Sequence, residues 1–152
     1  MGDFPYGIHA IPRATREHSP ASRRDGCLRL LVAESDQDER ELIGLQLASL
    51  GHVVDFADSG AAAVKQFRSQ AYDVVIVDVK LRVVDGVSTT RMIRSWEMAQ
   101  EFEPTPIIAL TTTLSELASP SDVIQEFTDY LVKPFDQAQL LGTIYRHARS
   151  AP

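Results

Sequence analysis

The run VVIVD at Val74–Asp78 constrains the fold more than any other part of this 152-residue chain. Four β-branched residues before an acid are typical of a strand that is buried on both faces of a parallel sheet. The acid then lies at the carboxyl end of the strand, where open α/β sheets bind their ligands. Asp85 and Gly86 indicate a turn before the next helical stretch. Asp78 is therefore the first candidate functional residue, although a lone acid at such a place more often only caps the next element.

Apolar and turn-forming residues follow one another regularly from residue 28 onward. We expect five strands, at 28–33, 52–57, 72–78, 106–111 and 130–132. We expect five helices, at about 39–50, at 60–69, at about 88–100, within 115–127, and after Asp136. This alternation indicates a parallel sheet with helices on both faces. Right-handed crossovers favour the flavodoxin-like strand order 2-1-3-4-5, so we predict an α/β fold, a (βα)5 three-layer sandwich.

Local signals indicate where some of these helices begin and end. Ser59 and Asp136 can cap the helices that follow them, and Gly51 can stop the first helix. The first helix carries a stripe, at helical spacing, through Glu39, Leu42, Ile43, Leu47 and Leu50. We expect this stripe to face the core of the domain.

The chain divides into three segments by composition. Residues 1–27 are rich in Pro, Gly and polar residues without a sustained period, so we interpret them as a linker or a flexible N-terminal extension. Residues 28–149 form one domain, which is long enough to bury a sizeable core. We expect residues 150–152 to be a short tail, with no room there for a DNA-binding output domain.

Charge and composition exclude several classes of protein. Residues 28–152 carry 11 basic and 18 acidic side chains, and this acidity argues against direct binding of nucleic acid. The single cysteine, Cys27, excludes an internal disulfide. No apolar segment approaches the length of a membrane span, and the first 20 residues lack the apolar core of a signal peptide. We therefore expect a cytoplasmic protein that does not insert into membranes.

Polar side chains collect at one edge of the predicted sheet, where strands 1, 3, 4 and 5 end. These residues are Glu34, Ser35, Asp36, Asp78, Thr111 and Lys133. Oxygen ligands of this kind suit Mg²⁺, and a lysine supplies a point charge for a phosphoryl oxygen. A carboxylate can itself accept a phosphoryl group to form an aspartyl phosphate. The edge therefore favours a magnesium-dependent phosphoryl site.

From residue 28 to about 149 the chain resembles the receiver domain of two-component response regulators. The resemblance rests on four motifs in the expected order: ESD at 34–36, Asp78 with Asp85-Gly86, PIIALT at 106–111, and YLVKPF at 130–135. Each motif is weak alone, but together they are specific. The resemblance implies a flavodoxin-like fold and phosphorylation on Asp78 with Mg²⁺ as cofactor.

The same resemblance assigns roles around the ion. It implies Glu34 and Asp78 as metal ligands, with Lys80 lending its backbone carbonyl, and it makes Asp36 and Ser35 further candidates. The second acid of the family's usual pair is the direct metal ligand, and here Ser35 stands at that position. A serine hydroxyl is neutral, so this departure predicts weaker Mg²⁺ binding.

Other roles concern the phosphoryl group and the response to it. The resemblance implies Thr111 as the hydroxyl that follows the phosphoryl group and Lys133 as its cation. Tyr130 becomes the aromatic residue that switches with activation, and the Lys133-Pro134 peptide bond is expected to be cis. Thr112 stands where a smaller residue is usual and would narrow access to the site.

Plainer interpretations stay open at this stage. Glu34 and Asp36 would also suit the positive end of the first helix. Thr111 begins a run of three threonines that would suit an exposed loop, and Tyr130 would equally suit a half-buried packing position.

We predict a phosphoacceptor receiver domain that is phosphorylated on Asp78 by a sensor histidine kinase or a histidine phosphotransfer protein. We expect no enzymatic activity beyond self-phosphorylation from phosphodonors and self-dephosphorylation. It would be a stand-alone regulator or the receiver of a hybrid kinase, with a homodimer through the strand 4, helix 4 and strand 5 face as a possible assembly. The alternatives are a pseudo-receiver that binds partners without phosphorylation, suggested by Ser35, and a small flavodoxin-like enzyme. The missing Gly-rich phosphate loop after strand 1 weakens the last of these.

Overall fold

The computed structural model of the chain describes residues 26–113 and 126–148. Three sequence predictions fall largely outside these residues. They are the linker at 1–27, the helix within 115–127 and the tail at 150–152.

The described residues form one sheet of five parallel strands in the order β2-β1-β3-β4-β5, which confirms the predicted topology. The strands are β1 Arg29–Ala33, β2 Val53–Ala57, β3 Val74–Asp78, β4 Ile107–Thr111 and β5 Asp129–Val132. The central strands β3 and β4 are buried at every residue, as their continuous apolar sequences require.

Four helices are described, and each begins after a side chain that caps it. The helices are α1 Gln37–Ala48, α2 Gly60–Ser69, α3 Gly86–Ala99 and α4 Gln137–His147. The caps are Asp36, Ser59, Asp85 and Asp136, whose oxygens accept hydrogen bonds from N–H groups of the first turn. The predicted caps at Ser59 and Asp136 are therefore confirmed.

The helices cover both faces of the sheet and make three layers. Alternate residues of each strand point to opposite faces, so Leu30 and Ile76 pack on one side, whereas Leu31 and Val75 pack on the other. The first side contacts α1 and α4, and the second contacts α2 and α3. All these side chains project from strands whose carboxyl ends lie at one edge, and this edge holds the candidate site.

The structure corrects several details of the predicted elements. Strands β1 and β2 begin one residue later than predicted and β3 begins two residues later, whereas α3 begins at Gly86 because Asp85 caps it. The stripe of α1 is only partly buried. Ile43 and Leu47 are in the core, but Leu42 and Leu50 are exposed, since the helix lies against a sheet edge and buries one narrow face. Gly51 has φ +83°, a conformation that few other residues adopt, and follows the end of α1 at Ala48.

Candidate active site

Asp78 ends β3 and is nearly buried, with 6% of its surface exposed. The Lys80 backbone N–H donates to its Oδ1 at 2.8 Å, and Lys133 Nζ donates to its Oδ2 at 2.7 Å. Gly86 allows the chain to fold closely over this strand end, because a Cβ at that position would lie 2.3 Å from the Asp78 carbonyl oxygen. The carboxylate is thus fixed at the edge of the sheet between two donors.

Glu34 follows β1 and brings a second buried carboxylate to the same place. Its Oε1 accepts from Lys133 Nζ at 3.1 Å, and its Oε2 accepts from the Asp36 backbone N–H at 3.2 Å. Burial, together with the nearby Asp78 carboxylate, raises the pKa of Glu34 to about 8. Glu34 therefore holds a proton more readily than an ordinary glutamate, which indicates a shortage of positive charge at this edge.

The pKa of Asp78 moves in the other direction. Burial alone would raise it, but hydrogen bonds to Glu34, Lys133 and the Lys80 N–H outweigh burial and hold the pKa of Asp78 below its usual range. Asp78 is therefore the carboxylate of this pair that ionises more readily.

Lys133 follows β5 and joins the acids from one side. Its backbone N–H donates to the Thr111 carbonyl at 2.8 Å, and the Lys133-Pro134 peptide bond is cis, in agreement with the resemblance. Burial would lower the pKa of Lys133, but the carboxylates of Asp78, Glu39 and Glu34 together raise it above the ordinary lysine value. The Lys133 ammonium group is thus charged, and the three carboxylates share it.

Glu39 is a member of this cluster that the sequence analysis did not assign to the site. It lies in the first turn of α1, and its Oε2 accepts from Lys133 Nζ at 2.8 Å. Ligand atoms of Glu34, Glu39 and Asp78 all lie within 4.8 Å of one another. A signal was present in the sequence, because Glu39 is an acid on the same helical stripe as the buried Ile43 and Leu47.

Ser35 and Asp36 lie beside the cluster but serve the surrounding backbone. Ser35 Oγ accepts a hydrogen bond from the Arg82 backbone N–H at 2.9 Å. Asp36 caps α1, since its Oδ1 accepts from the N–H groups of Asp38 and Glu39. Among the described residues, the carboxylates that meet within the cluster are those of Glu34, Glu39 and Asp78, and Asp36 is outside it.

The remaining predicted residues differ in their surroundings. Thr111 ends β4 and is only 2% exposed, so it is not part of a solvent-exposed loop, and its Oγ1 donates to the Thr113 carbonyl at 2.7 Å. Thr112 is exposed, and it lines a cavity of about 340 Å³ together with Glu39 and Lys133. Tyr130 on β5 is 47% exposed.

The donors at this edge fit a hard cation. Three carboxylates share the Lys133 ammonium group, which leaves a formal charge of −2 within the set. Mg²⁺ prefers oxygen ligands, usually binds one or two carboxylates directly, and keeps several waters to which further carboxylates can hydrogen-bond. A divalent ion would match both the chemistry and the charge of the set, and the lysine would match the oxygens of a phosphoryl group.

Comparison with known proteins agrees with the fold and identifies the family of the chain. The family described as response regulator receiver domain matches residues 30–145. The chain therefore belongs to this family, the receiver domains of two-component and phosphorelay signalling.

Individual relatives cover most of this chain but only part of their own length. The sensor histidine kinase GacS of Pseudomonas protegens is 28% identical over 89% of this chain and 15% of its own length. The response regulator ArlR of Staphylococcus epidermidis is 30% identical over 81% of this chain and 53% of its own length. The chain thus spans about half of ArlR and a smaller part of GacS.

A solved receiver domain gives the structural comparison. The receiver domain of the sensor histidine kinase PA1611 from Pseudomonas aeruginosa is 34% identical and superposes with a TM-score of 0.70. The match covers 80% of this chain and 98% of that one, whose structure has a magnesium ion coordinated in the active site cleft. Within residues 26–113 and 126–148 of this chain, no helix is both long and apolar enough to cross a membrane.

Proposed function

We propose that this receiver accepts a phosphoryl group on Asp78 from a partner histidine kinase or histidine phosphotransfer protein. The observation that carries the proposal is the position of the Asp78 carboxylate, which is buried at the end of β3 and held between Lys133 Nζ and the Lys80 N–H. This is where the switch point of the sheet places a ligand, between β1 and β3.

The transfer asks for positioning and charge neutralisation. A carboxylate oxygen of Asp78 forms a bond to phosphorus as the P–N bond of the partner's phosphohistidine breaks, and the leaving imidazole nitrogen takes a proton from water. Lys133, already 2.7 Å from Asp78, neutralises charge on the phosphoryl oxygens. The Lys80 N–H orients the attacking carboxylate.

Glu34, Asp78 and the Lys80 carbonyl would hold Mg²⁺ in this site. The bound ion would supply further charge neutralisation for the phosphoryl oxygens. Support comes from the fit of the oxygen donors and from the magnesium ion in the cleft of the Pseudomonas PA1611 receiver.

The face of α1 beside the site suits a docking partner. Leu42 and Leu45 are 56% and 73% exposed, and Leu42 lines the same cavity as Lys133, Pro134 and Phe135. Exposed leucines next to a reactive group are typical of an interaction surface. We therefore place the phosphohistidine-bearing partner on this face, where its histidine can reach Asp78.

The phosphorylated form would act through Thr111 and Tyr130. A dianionic phosphoryl group draws the Thr111 hydroxyl away from the Thr113 carbonyl, to which it now donates. The exposed ring of Tyr130 can then move toward the vacated space. Chemical shifts of β4 and β5 residues should change on binding of beryllofluoride, and changes confined to the Asp78 loop would argue against this switch.

Several finer expectations remain predictions. They are a homodimer through the face that includes the segment within 115–127, the absence of nucleic-acid binding, a cytoplasmic location, and the absence of catalysis beyond self-phosphorylation and self-dephosphorylation. The pseudo-receiver is the second candidate, because the Ser35 hydroxyl accepts from the Arg82 N–H and offers no negative charge to a metal.

Incubation with acetyl phosphate and Mg²⁺, followed by intact mass measurement, tests the proposal. We expect one added phosphoryl group on the parent and none on Asp78→Asn. Asp85→Asn is the matched control, since asparagine caps α3 as well as aspartate does and should leave labelling intact. A parent that neither acetyl phosphate nor any kinase labels would support the pseudo-receiver instead.

A further inference from the structure

We propose that Glu39 supplies the third carboxylate of the cation site, in place of the acid that Ser35 does not provide. The inference rests on the proposed function, because it concerns the Mg²⁺ ion of the phosphoryl site. It assigns to α1 a role in the metal site that the motif at 34–36 does not indicate.

The position of Glu39 in α1 directs its side chain to the sheet edge. Asp36 caps the helix and accepts from the Glu39 N–H, so the Glu39 carboxylate is not needed to cap the helix. Ile43, one turn further along, is buried in the core and holds this face of the helix against the sheet. The Glu39 carboxylate therefore projects toward Lys133, which it contacts at 2.8 Å.

The Glu39 carboxylate combines contact with the site and access to water. Its side chain is 40% exposed, whereas those of Glu34 and Asp78 are 2% and 9% exposed. A partly hydrated carboxylate can bind an ion directly or through one of the waters that Mg²⁺ keeps. Glu39 thus stands where an ion would enter from solvent.

The ligand atoms of the three acids lie close together. One carboxylate oxygen from each of Glu34, Glu39 and Asp78 lies within 4.8 Å of the other two. One cation could therefore contact these carboxylates directly or through the waters that Mg²⁺ keeps. Lys133 Nζ now bridges all three, which shows that they converge on one positive group.

Ser35 accepts hydrogen bonds from neighbouring segments of the chain and contributes no carboxylate to the site. Its Oγ accepts from the Arg82 N–H, and its carbonyl accepts from Arg40 Nη1 at 2.9 Å. The first contact ties the turn after β1 to the loop after β3, and the second ties it to α1. The residue at this position therefore shapes the site, while the negative charge comes from Glu39.

Mg²⁺ titration calorimetry without any phosphodonor tests the inference. We expect Glu39→Gln to bind Mg²⁺ about ten- to a hundredfold more weakly than the parent, the range typical of changes around a bound metal. Asp38→Asn is the matched control, because it removes the same charge from the same helix turn but lies outside the cluster, and its affinity should stay near that of the parent. The loss should persist at high salt, where the effect of a distant charge is screened.

A rescue variant completes the design. Ser35→Asp should restore most of the Mg²⁺ affinity that Glu39→Gln loses, because it returns one carboxylate to the cluster. Equal affinities of the parent and Glu39→Gln would overturn the role of Glu39, as would equal losses in Glu39→Gln and Asp38→Asn. A parent that binds no Mg²⁺ would overturn the metal site as a whole, whereas unlabelled Asp78 in a protein that binds Mg²⁺ would overturn only the phosphoacceptor proposal.

Discussion

The two ends of the sheet both bury acids, but they treat them differently. At the amino end, Asp73 is buried, and its Oδ2 accepts from the Arg29 backbone N–H at 2.7 Å. At the carboxyl end, the carboxylates of Glu34, Glu39 and Asp78 converge on the ammonium group of Lys133. The acid at the amino end secures the start of β1, whereas those at the carboxyl end carry more negative charge than Lys133 can neutralise.

This difference separates a structural acid from a reactive one. Asp73 accepts from the Arg29 backbone N–H, and this contact stabilises the start of β1. Burial and the neighbouring Asp78 carboxylate raise the pKa of Glu34 to about 8, and the three carboxylates around one lysine leave capacity for another positive group. Burial alone does not identify the functional end of the sheet, but the balance of charge does.

Lys133→Met should have the largest effect of the changes considered, because it removes the ammonium group that all three carboxylates at the carboxyl end of the sheet contact. We expect labelling by acetyl phosphate to slow about a hundredfold, as is typical when one preorganised donor is removed from a site of charge transfer. The initial rate of mass increase measures this effect. Lys65→Met removes the same charge from an exposed position on α2 and should label at the parent rate. Similar rates for the two variants would show that Lys133 does not serve the phosphoryl group.

Asp73→Ala should destabilise the amino end of the sheet without changing the rate of phosphorylation. It leaves the partly buried Arg29 N–H without its carboxylate acceptor, which costs about 1–3 kcal/mol of unfolding free energy. Urea denaturation measures the loss. Asp73→Asn keeps an acceptor oxygen and should recover most of it. An Asp73→Ala variant as stable as the parent would remove the structural role of this acid.

Glu34→Gln, at the carboxyl end, should increase the free energy of unfolding, whereas Asp73→Ala should decrease it. The pKa of Glu34 is raised from 4.5 in the unfolded chain to about 8, so without metal the parent loses stability as pH rises between these values. Glutamine cannot ionise and avoids this loss. We expect the variant to exceed the parent by about 1–4 kcal/mol near pH 8, with the gap closing toward pH 5. A stability difference between the variant and the parent that does not change with pH would contradict the raised pKa of Glu34.

His52 offers a smaller test at the amino end. Its Nδ1 accepts from the Leu28 N–H at 3.1 Å and its Nε2 hydrogen-bonds with the Tyr145 hydroxyl, and burial lowers the pKa of this histidine. The unfolded chain therefore binds the proton first, and stability is lost as pH falls below about 6.5. The stability advantage of the parent over His52→Gln should shrink by less than about 1 kcal/mol between about pH 7.5 and pH 5.5. If the stability advantage of the parent grew as the pH fell, the pKa of His52 would be raised, and not lowered, in the folded protein.

Much of the fold was predictable because its signals are local and repeated. The apolar strands, the caps at Ser59 and Asp136, and the alternation of elements determine the sheet order with few alternatives. The first residues of β2 and β3 were less predictable. His52 and Tyr72 continue the apolar runs of these strands in the sequence, but in the structure they precede the strands and form hydrogen bonds through their polar atoms. Tyr72 donates its hydroxyl to Asp55 Oδ2, and His52 accepts from Leu28.

The candidate site was only partly predictable. Glu34, Asp78 and Lys133 follow strands, so the topology alone brings them together. Glu39 belongs to a helix, and its contact with Lys133 depends on how α1 packs against the sheet, which sequence spacing does not give. The exposure of Leu42 escaped prediction for the same reason.

Locating the phosphoryl group on the chain tests the central claim most directly. The protein would be treated with acetyl phosphate and Mg²⁺, then reduced with borohydride, which converts an aspartyl phosphate to homoserine, and its peptides would be sequenced by tandem mass spectrometry. We predict homoserine in place of Asp78, the carboxylate that Lys133 and the Lys80 N–H hold. Homoserine at another acid, such as Glu39's neighbour Asp38 or the amino-end Asp73, with Asp78 intact, would contradict the account.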